Sequence, residues 1–156
     1  MIKIKLTQNQ TALIDDEDYE VISKYNWYTR KTKNTFYAVA HTYKNNKRTI
    51  VQMHRIIMNP EPKEEVDHIN HHGLDNRRGN LRVCSRQQNQ FNKLPNNKTS
   101  RYKGVCWNKR KKKWQATIGL ENKQKWIGYF SNEVEAARAY DQVALKYFGE
   151  FAYLNL

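Results

Sequence analysis

Cysteine is nearly absent. Only Cys84 and Cys106 occur in 156 residues, which excludes a disulfide scaffold and any all-cysteine structural zinc site. Both read as buried free thiols. Long apolar runs are missing too. No stretch approaches the ~18 residues that a membrane span needs, so no membrane partner is expected. Residues 1–6 alternate apolar residues with lysine and lack the apolar core of a signal peptide, so secretion is not expected. Acidic residues are scarce: 15 Asp+Glu against 28 Lys+Arg leave a net charge of +13. That excess points to a polyanionic partner, most often nucleic acid. Apolar residues make up only 38% and mean hydropathy is −0.99, which argues against one large core. The 4 Trp, 10 Tyr and 5 Phe are nevertheless too many for a disordered chain. The length fits one ordinary domain or two small ones.

Two halves separate by composition. Residues 1–95 hold 16 Lys+Arg and 10 Asp+Glu; residues 96–156 hold 12 and 5, a denser positive charge. The seam is polar and aperiodic, with Pro95 and the adjacent Asn96 and Asn97, and residues 94–100 read as a linker. Residues 1–52 form a β-rich extension. Ile2, Ile4 and Leu6 alternate as in a strand, Ala12 to Ile14 is a second, and stretches 36–39 and 49–51 are two more, joined by a turn at 44–47. The acidic run 15–18 offers an N-cap and first turn for a short helix through Ile22. Met53 to Met58 is a short helix stopped by Asn59 and Pro60. Beyond the linker, three short β stretches around Val105–Trp107, Trp114–Ile118 and Trp126–Phe130 precede a helix. That helix starts near Glu133, carries a stripe of Val134, Ala137, Ala139, Tyr140, Val143, Ala144 and Tyr147 read as core packing, and stops at Gly149. The expected fold is α+β, ending in a three-stranded antiparallel sheet packed on one helix.

The chemistry concentrates in residues 66–89. Val66-Asp67-His68 reads as a strand carrying a carboxylate beside an imidazole. A loop rich in Gly, Asn and Asp follows, then a second strand at Leu81–Val83, then a helix capped by Ser85 and running past Asn89. A hairpin leading into a helix can bring Asp67 and Asn89 to one cation. Both donate oxygen, which suits a hard ion such as Mg²⁺ that keeps several waters. His68, with an ordinary pKa near 6.5, can serve as general base. His54 can pack or touch a phosphate. His71 and His72 belong in a solvated loop. Arg77 and Arg78 suit phosphate clamping.

This stretch resembles the HNH (His-Me finger) nucleases of phage and intron homing type. The match runs over residues 53–93 through Met53-His54-Arg55, Asp67-His68, Leu74-Asp-Asn-Arg-Arg78, Asn80-Leu81 and Gln88-Asn89. The resemblance implies a ββα-metal module. In it His68 activates water, Asn80 pins the loop and orients His68, and Asp67 with Asn89 holds one Mg²⁺ or Mn²⁺. Asn89 stands where some members have histidine. The zinc-binding members carry two cysteine pairs, absent here, so no zinc is expected. The resemblance also implies a cytoplasmic protein of a phage or its bacterial host.

Residues 101–156 resemble the ethylene-response-factor (Apetala-type) DNA-binding domain, through Tyr102-Lys-Gly104-Val105, Trp114-Gln-Ala-Thr-Ile118, Trp126-Ile-Gly128-Tyr-Phe130, Ala139-Tyr140-Asp141 and the segment from Phe148 to Asn155. That family lays its sheet in the major groove. The implied contacts are Lys103, Trp107, Asn108, Arg110, Lys112, Trp114, Gln115, Thr117, Lys125 and Trp126. Trp114 and Trp126 could instead be sheet core. The 109–113 turn is one residue longer than in the plant proteins, so base preference does not transfer. Taken together, the resemblances imply an endonuclease acting on double-stranded DNA as a monomer or a DNA-induced dimer. The rival is a non-catalytic DNA-binding regulator.

Overall fold

The computed structural model describes residues 1–95, 99–120 and 123–156. Residues 96–98 of the expected linker, and Glu121 and Asn122 between the second and third expected β stretches of the C-terminal half, lie outside the described residues. The architecture is α+β, with four small antiparallel sheets and a few helices among the described residues. None of these helices is long and apolar enough to cross a membrane. The chain divides into two compact units, Met1–Arg86 and Gln87–Leu156.

In the first unit, β1 (Ile2–Lys5) pairs with β2 (Thr11–Ile14). A 3-10 turn at Asp16–Asp18 leads into α1 (Tyr19–Ile22). The acidic run does not cap this segment with its side chains. Asp15 instead accepts the Arg78 backbone N–H at 2.8 Å, and Asp18, only 2% exposed, takes the Arg78 guanidinium. A buried carboxylate needs a charged partner more than a helix end needs a cap.

A second sheet runs in the order β3 (Trp27–Lys31), β4 (Phe36–Lys44), β5 (Lys47–Gln52). The two middle residues of the β4–β5 turn, Asn45 and Asn46, have φ of 50° and 58°, as a two-residue type I′ hairpin requires. Strand β3 was not expected. Its inward residue Thr29 is polar and is satisfied by Thr7, through Oγ1 to the Thr7 carbonyl at 2.7 Å. α2 (Met53–Met58) ends at Asn59, whose left-handed backbone (φ 43°) closes the last turn. β6 (Glu65–His68) and β7 (Leu81–Cys84) make the third pair. Ala12, Ile14, Ile22, Met53, Ile57 and Leu74 form the core between these pieces.

In the second unit, β8 (Val105–Asn108), β9 (Lys113–Leu120) and β10 (Lys123–Phe130) form an antiparallel sheet with β9 central. α4 (Glu133–Phe148) is capped by Asn132, which accepts the Val134 N–H at 2.7 Å, and it covers one sheet face. Ala136, Ala137 and Ala144 let it approach Val105, Ala116 and Ile118 closely. Gly104, at φ +74°, lies under the Tyr140 ring. Asp141 is buried and accepts the Asn155 and Leu156 backbone N–H groups at 2.9 and 3.1 Å, which ties the tail to the helix. α3 (Arg86–Phe91) opens this unit, with Phe91 stacked on Phe148 at 3.7 Å between ring centroids.

Candidate active site

Strand β6 turns successive side chains to opposite faces, so Asp67 and His68 diverge. Each meets its own set of partners. Asp67 sits opposite Arg82 in the β6–β7 register and is bridged by it: Nη2 and Nε donate to Oδ2 at 2.7 and 3.0 Å. Both side chains are nearly buried, so the pair is a cross-strand ion pair with little solvent screening.

His68, 5% exposed, packs in a group of three rings. His54 from α2 meets it edge-on at 4.9 Å, and Tyr37 from β4 lies 5.7 Å from it and 5.6 Å from His54. Burial pushes the His68 pKa below its ordinary value, opposed by the Asn76 hydrogen bond and by Asp67 and Asp75. Burial thus favours the neutral ring, the form that has a free nitrogen lone pair. Its Nε2 lies 3.3 Å from Asn76 Oδ1. The Asn76 amide, 1% exposed, has its Nδ2 unpaired among the described residues. Turned over, that amide would donate to an unprotonated Nε2, so it can serve either tautomer.

The loop between β6 and β7 is held from within. Asn80 Nδ2 donates to the Asp75 carbonyl at 2.7 Å, and Asn80 Oδ1 accepts the Asn70 N–H at 3.0 Å. Asn80 thus fixes the loop rather than touching His68. Asp75 is gripped by Arg77 through two bonds of 2.7 Å, which holds its carboxyl below the usual carboxylate range. Arg78 pairs with Asp18 and also lies 3.0 Å from Glu17. The two arginines expected to clamp phosphate thus each hold a carboxylate of their own unit. His72 is exposed, and His71 has φ 63° in the same loop.

Asn89 lies on α3, half-buried. The Asp67 carboxylate is a hard oxygen donor of the kind a divalent ion takes, and in this structure it is engaged by Arg82. Among the described residues, no three His, Cys, Asp or Glu side chains gather where they could hold a metal by themselves.

In the second unit the register sorts the expected DNA contacts. Gln115 pairs with Cys106, Lys113 with Asn108, and Thr117 with Trp126, all on the face away from α4. Asn108 and Gln115 join there at 3.0 Å, and Trp126 is 59% exposed. Arg110 and Lys112 stand exposed at the β8–β9 turn. Four of the expected contacts lie elsewhere than on this open face. Trp114 packs toward Ala116 and Ala136, with Trp107 edge-on to it at 5.1 Å, so both lie on the helix side. Lys125 pairs with Ile118 and donates to the Tyr147 hydroxyl of α4 at 3.1 Å. Lys103 points inward: its Nζ donates to the carbonyls of Phe91 and Lys93 at 2.6 and 2.7 Å, and burial lowers its pKa to about 8. Cys106 is exposed, not buried.

Comparison with known proteins now bears on this geometry. The chain is 32% identical over 150 residues, 92% of its own length and 74% of the other's, to a protein named as an uncharacterized HNH endonuclease of Acanthamoeba polyphaga mimivirus. This chain belongs to the HNH endonuclease family. The HNH endonuclease family match falls on residues 51–91, from the end of β5 through α3, and includes His54, Asp67, His68, Asn76, Asn80 and Asn89. An AP2 domain matches residues 100–150. Protein 3.8 of Escherichia phage T7 is 36% identical over 76 residues, 47% of this chain and 63% of that protein. An AP2-like ethylene-responsive transcription factor of Arabidopsis thaliana is 39% identical over 61 residues, 39% of this chain and 13% of that protein.

Within the HNH segment, His54 has a titration consequence. Burial, then His68 and Arg55, push its pKa from 6.5 to about 3, and its Nδ1 has no partner among the described residues. The folded state therefore refuses a proton that the unfolded chain accepts below pH 6.5. Stability is full above that pH and falls as pH drops toward 3, by about 1.4 kcal/mol per pH unit for one proton. Urea unfolding between about pH 6.5 and pH 5, above the main carboxylate range, should show this slope. His54→Gln should reduce the slope by up to one proton's worth, whatever its absolute stability.

Proposed function

We propose that this protein is a metal-dependent DNA endonuclease of the homing or phage type, positioned on duplex DNA by its AP2 domain. The observation that best supports this reading is the buried Asp67–His68 pair on β6: the imidazole, whose burial favours the neutral form, is held by Asn76 and His54, and the carboxylate faces the other way. His68 takes a proton from water. The water oxygen bonds to phosphorus, the P–O3′ bond breaks, and the leaving oxygen is protonated, giving a 5′-phosphate and a 3′-hydroxyl. A Mg²⁺ or Mn²⁺ ion held by Asp67 and Asn89 would stabilise negative charge on the scissile phosphate. Asn80 and Asp75 keep the loop rigid, so the base stays oriented.

The face of β8–β9–β10 that carries Asn108, Gln115, Thr117 and Trp126, with Arg110 and Lys112 at its edge, is the surface for the major groove. One catalytic centre per chain nicks as a monomer, or cuts both strands as a dimer formed on DNA. The protein acts in the cytoplasm of a bacterial host.

The shared cation is tested by a double-mutant cycle. Asp67→Ala and Asn89→Ala should each raise the Mg²⁺ concentration for half-maximal nicking and weaken Mg²⁺ binding by calorimetry. The double variant should be little worse than the worse single, as expected for residues acting as one unit. Additive losses would separate the two residues. Nicking by neither variant nor wild type, with intact duplex binding, would favour the regulator.

A further inference from the structure

The first unit has a charged surface that neither family match covers. Between Glu20 and Glu61 the chain carries no aspartate or glutamate, while lysines and arginines recur throughout. This segment builds β3–β4–β5. By alternation along β4, Tyr37, Val39, His41 and Tyr43 share one face. The register adds Tyr28 and Arg30 from β3, opposite Val39 and Tyr37, and Ile50 and Arg48 from β5, opposite His41 and Tyr43.

At one end this face meets the catalytic centre, because the Tyr37 ring lies against both His54 and His68. At the other end it is open. Tyr43 is 74% exposed and Ile50 48%, with His41 and Arg48 exposed beside them, while Arg30 stands exposed nearer the Tyr37 end. The Tyr28 hydroxyl meets His41 Nε2 at 3.0 Å, and their rings stack at 5.1 Å, which stiffens the middle of the face. The six steps of strand from Tyr37 to Tyr43 span about 20 Å at ~3.3 Å per residue, or roughly six base pairs at ~3.4 Å each.

A protein partner would find an exposed tyrosine and isoleucine here but no carboxylate on these strands for its own cations. Nucleic acid fits better. Arginines can pair with phosphates, and an apolar tip beside them can press into a groove or against a base step. We propose that this face of β3–β4–β5 binds duplex DNA beside the bond that is cut, so that the catalytic unit grips the duplex independently of the AP2 domain. The placement beside the cut rests on the reading of His68 as the cleavage centre; the DNA contact itself does not.

The test uses the full chain with chelator present, so that binding is read without cleavage. Salt titration of Arg30→Ala/Arg48→Ala should lower the slope of log affinity against log salt by about two units. Tyr43→Ala/Ile50→Ala should weaken binding several-fold with the slope unchanged, because apolar contacts release no counterions. Arg30→Lys/Arg48→Lys should restore the slope. Hydroxyl-radical footprints of both alanine doubles should lose about six protected base pairs on one side of the wild-type cut. All the replaced groups except Tyr43 and Ile50 are charged surface groups, and unchanged thermal melts of the arginine double confirm an intact fold. Wild-type slope and footprint in both alanine doubles would overturn the proposal. If the slope falls by two units but no cation supports cutting, the DNA-binding face stands and the nuclease reading fails. If the protein cuts DNA and the slope is unchanged, the face fails alone.

Discussion

His68→Ala should lower the rate of duplex cleavage by about 10²-fold or more while leaving affinity for duplex DNA within a few-fold. The imidazole lies in a nearly buried ring group, so it presents little surface to DNA, and its loss removes the proposed proton acceptor together with its packing against His54 and Tyr37. His54 is a poor replacement: its pKa is held at about 3, so it has little basicity to offer near neutral pH. His72 lies exposed in the following loop and lacks the fixed orientation that Asn76 gives His68. Single-turnover cleavage at saturating enzyme, beside equilibrium binding, separates rate from affinity. A variant that cuts at near wild-type rate would place the base elsewhere.

Gly104→Ala should unfold the second unit at temperatures where the wild type is folded. At φ +74° any Cβ is strained, and here it would strike the Tyr140 ring and lie 2.6 Å from the Thr117 carbonyl oxygen. Left-handed backbone costs roughly 1–2 kcal/mol and overpacking a further ~1–3 kcal/mol. The tyrosine cannot retreat, because it is 3% exposed and packs with Ile118, Ala144 and Phe148. The sum, about 2–5 kcal/mol, is a large share of a small domain's stability. Gly119→Ala is the control: a Cβ there meets nothing within 4 Å, and its effect should stay within about 0.5 kcal/mol. Thermal unfolding followed by tryptophan fluorescence reads both, since all four tryptophans except Trp27 lie in the second unit. Equal melting of the two variants would show that Gly104 is not the tight point.

Much of this was legible in the chain because strong local patterns coincide with tertiary roles. Isoleucines alternating with lysines gave β1, the alanine and tyrosine stripe gave α4, and a hydrophobic run cut by Asn59 and Pro60 gave α2 with its bounds. The facing of the AP2 sheet was less legible. Identity alone cannot say which side Trp114 or Lys125 takes. A bulge between Trp126 and Gly128 shifts the register, so Trp126 and Tyr129 share the open face although they are three residues apart. Arg82 was missed because its partner depends on the pairing of β6 with β7, and an irregular loop does not set that register in advance. Arg78 and Lys103 were misplaced for a related reason. Their partners, Asp18 and the end of α3, lie far along the chain or depend on packing, and a basic side chain in a basic protein looks free until its partner is located.

Under the proposed function, the Asp67–His68 centre hydrolyses phosphodiester bonds in duplex DNA with a divalent cation. It is tested most directly by incubating the full chain with supercoiled plasmid and a labelled linear duplex, in Mg²⁺, in Mn²⁺ and in EDTA. The cut position and the chemistry of its ends are then mapped. Nicked or linear product is expected with either metal, none in EDTA, and ends carrying a 5′-phosphate and a 3′-hydroxyl. Tight duplex binding with no cleavage under any cation, or cleavage undiminished by EDTA, would contradict it.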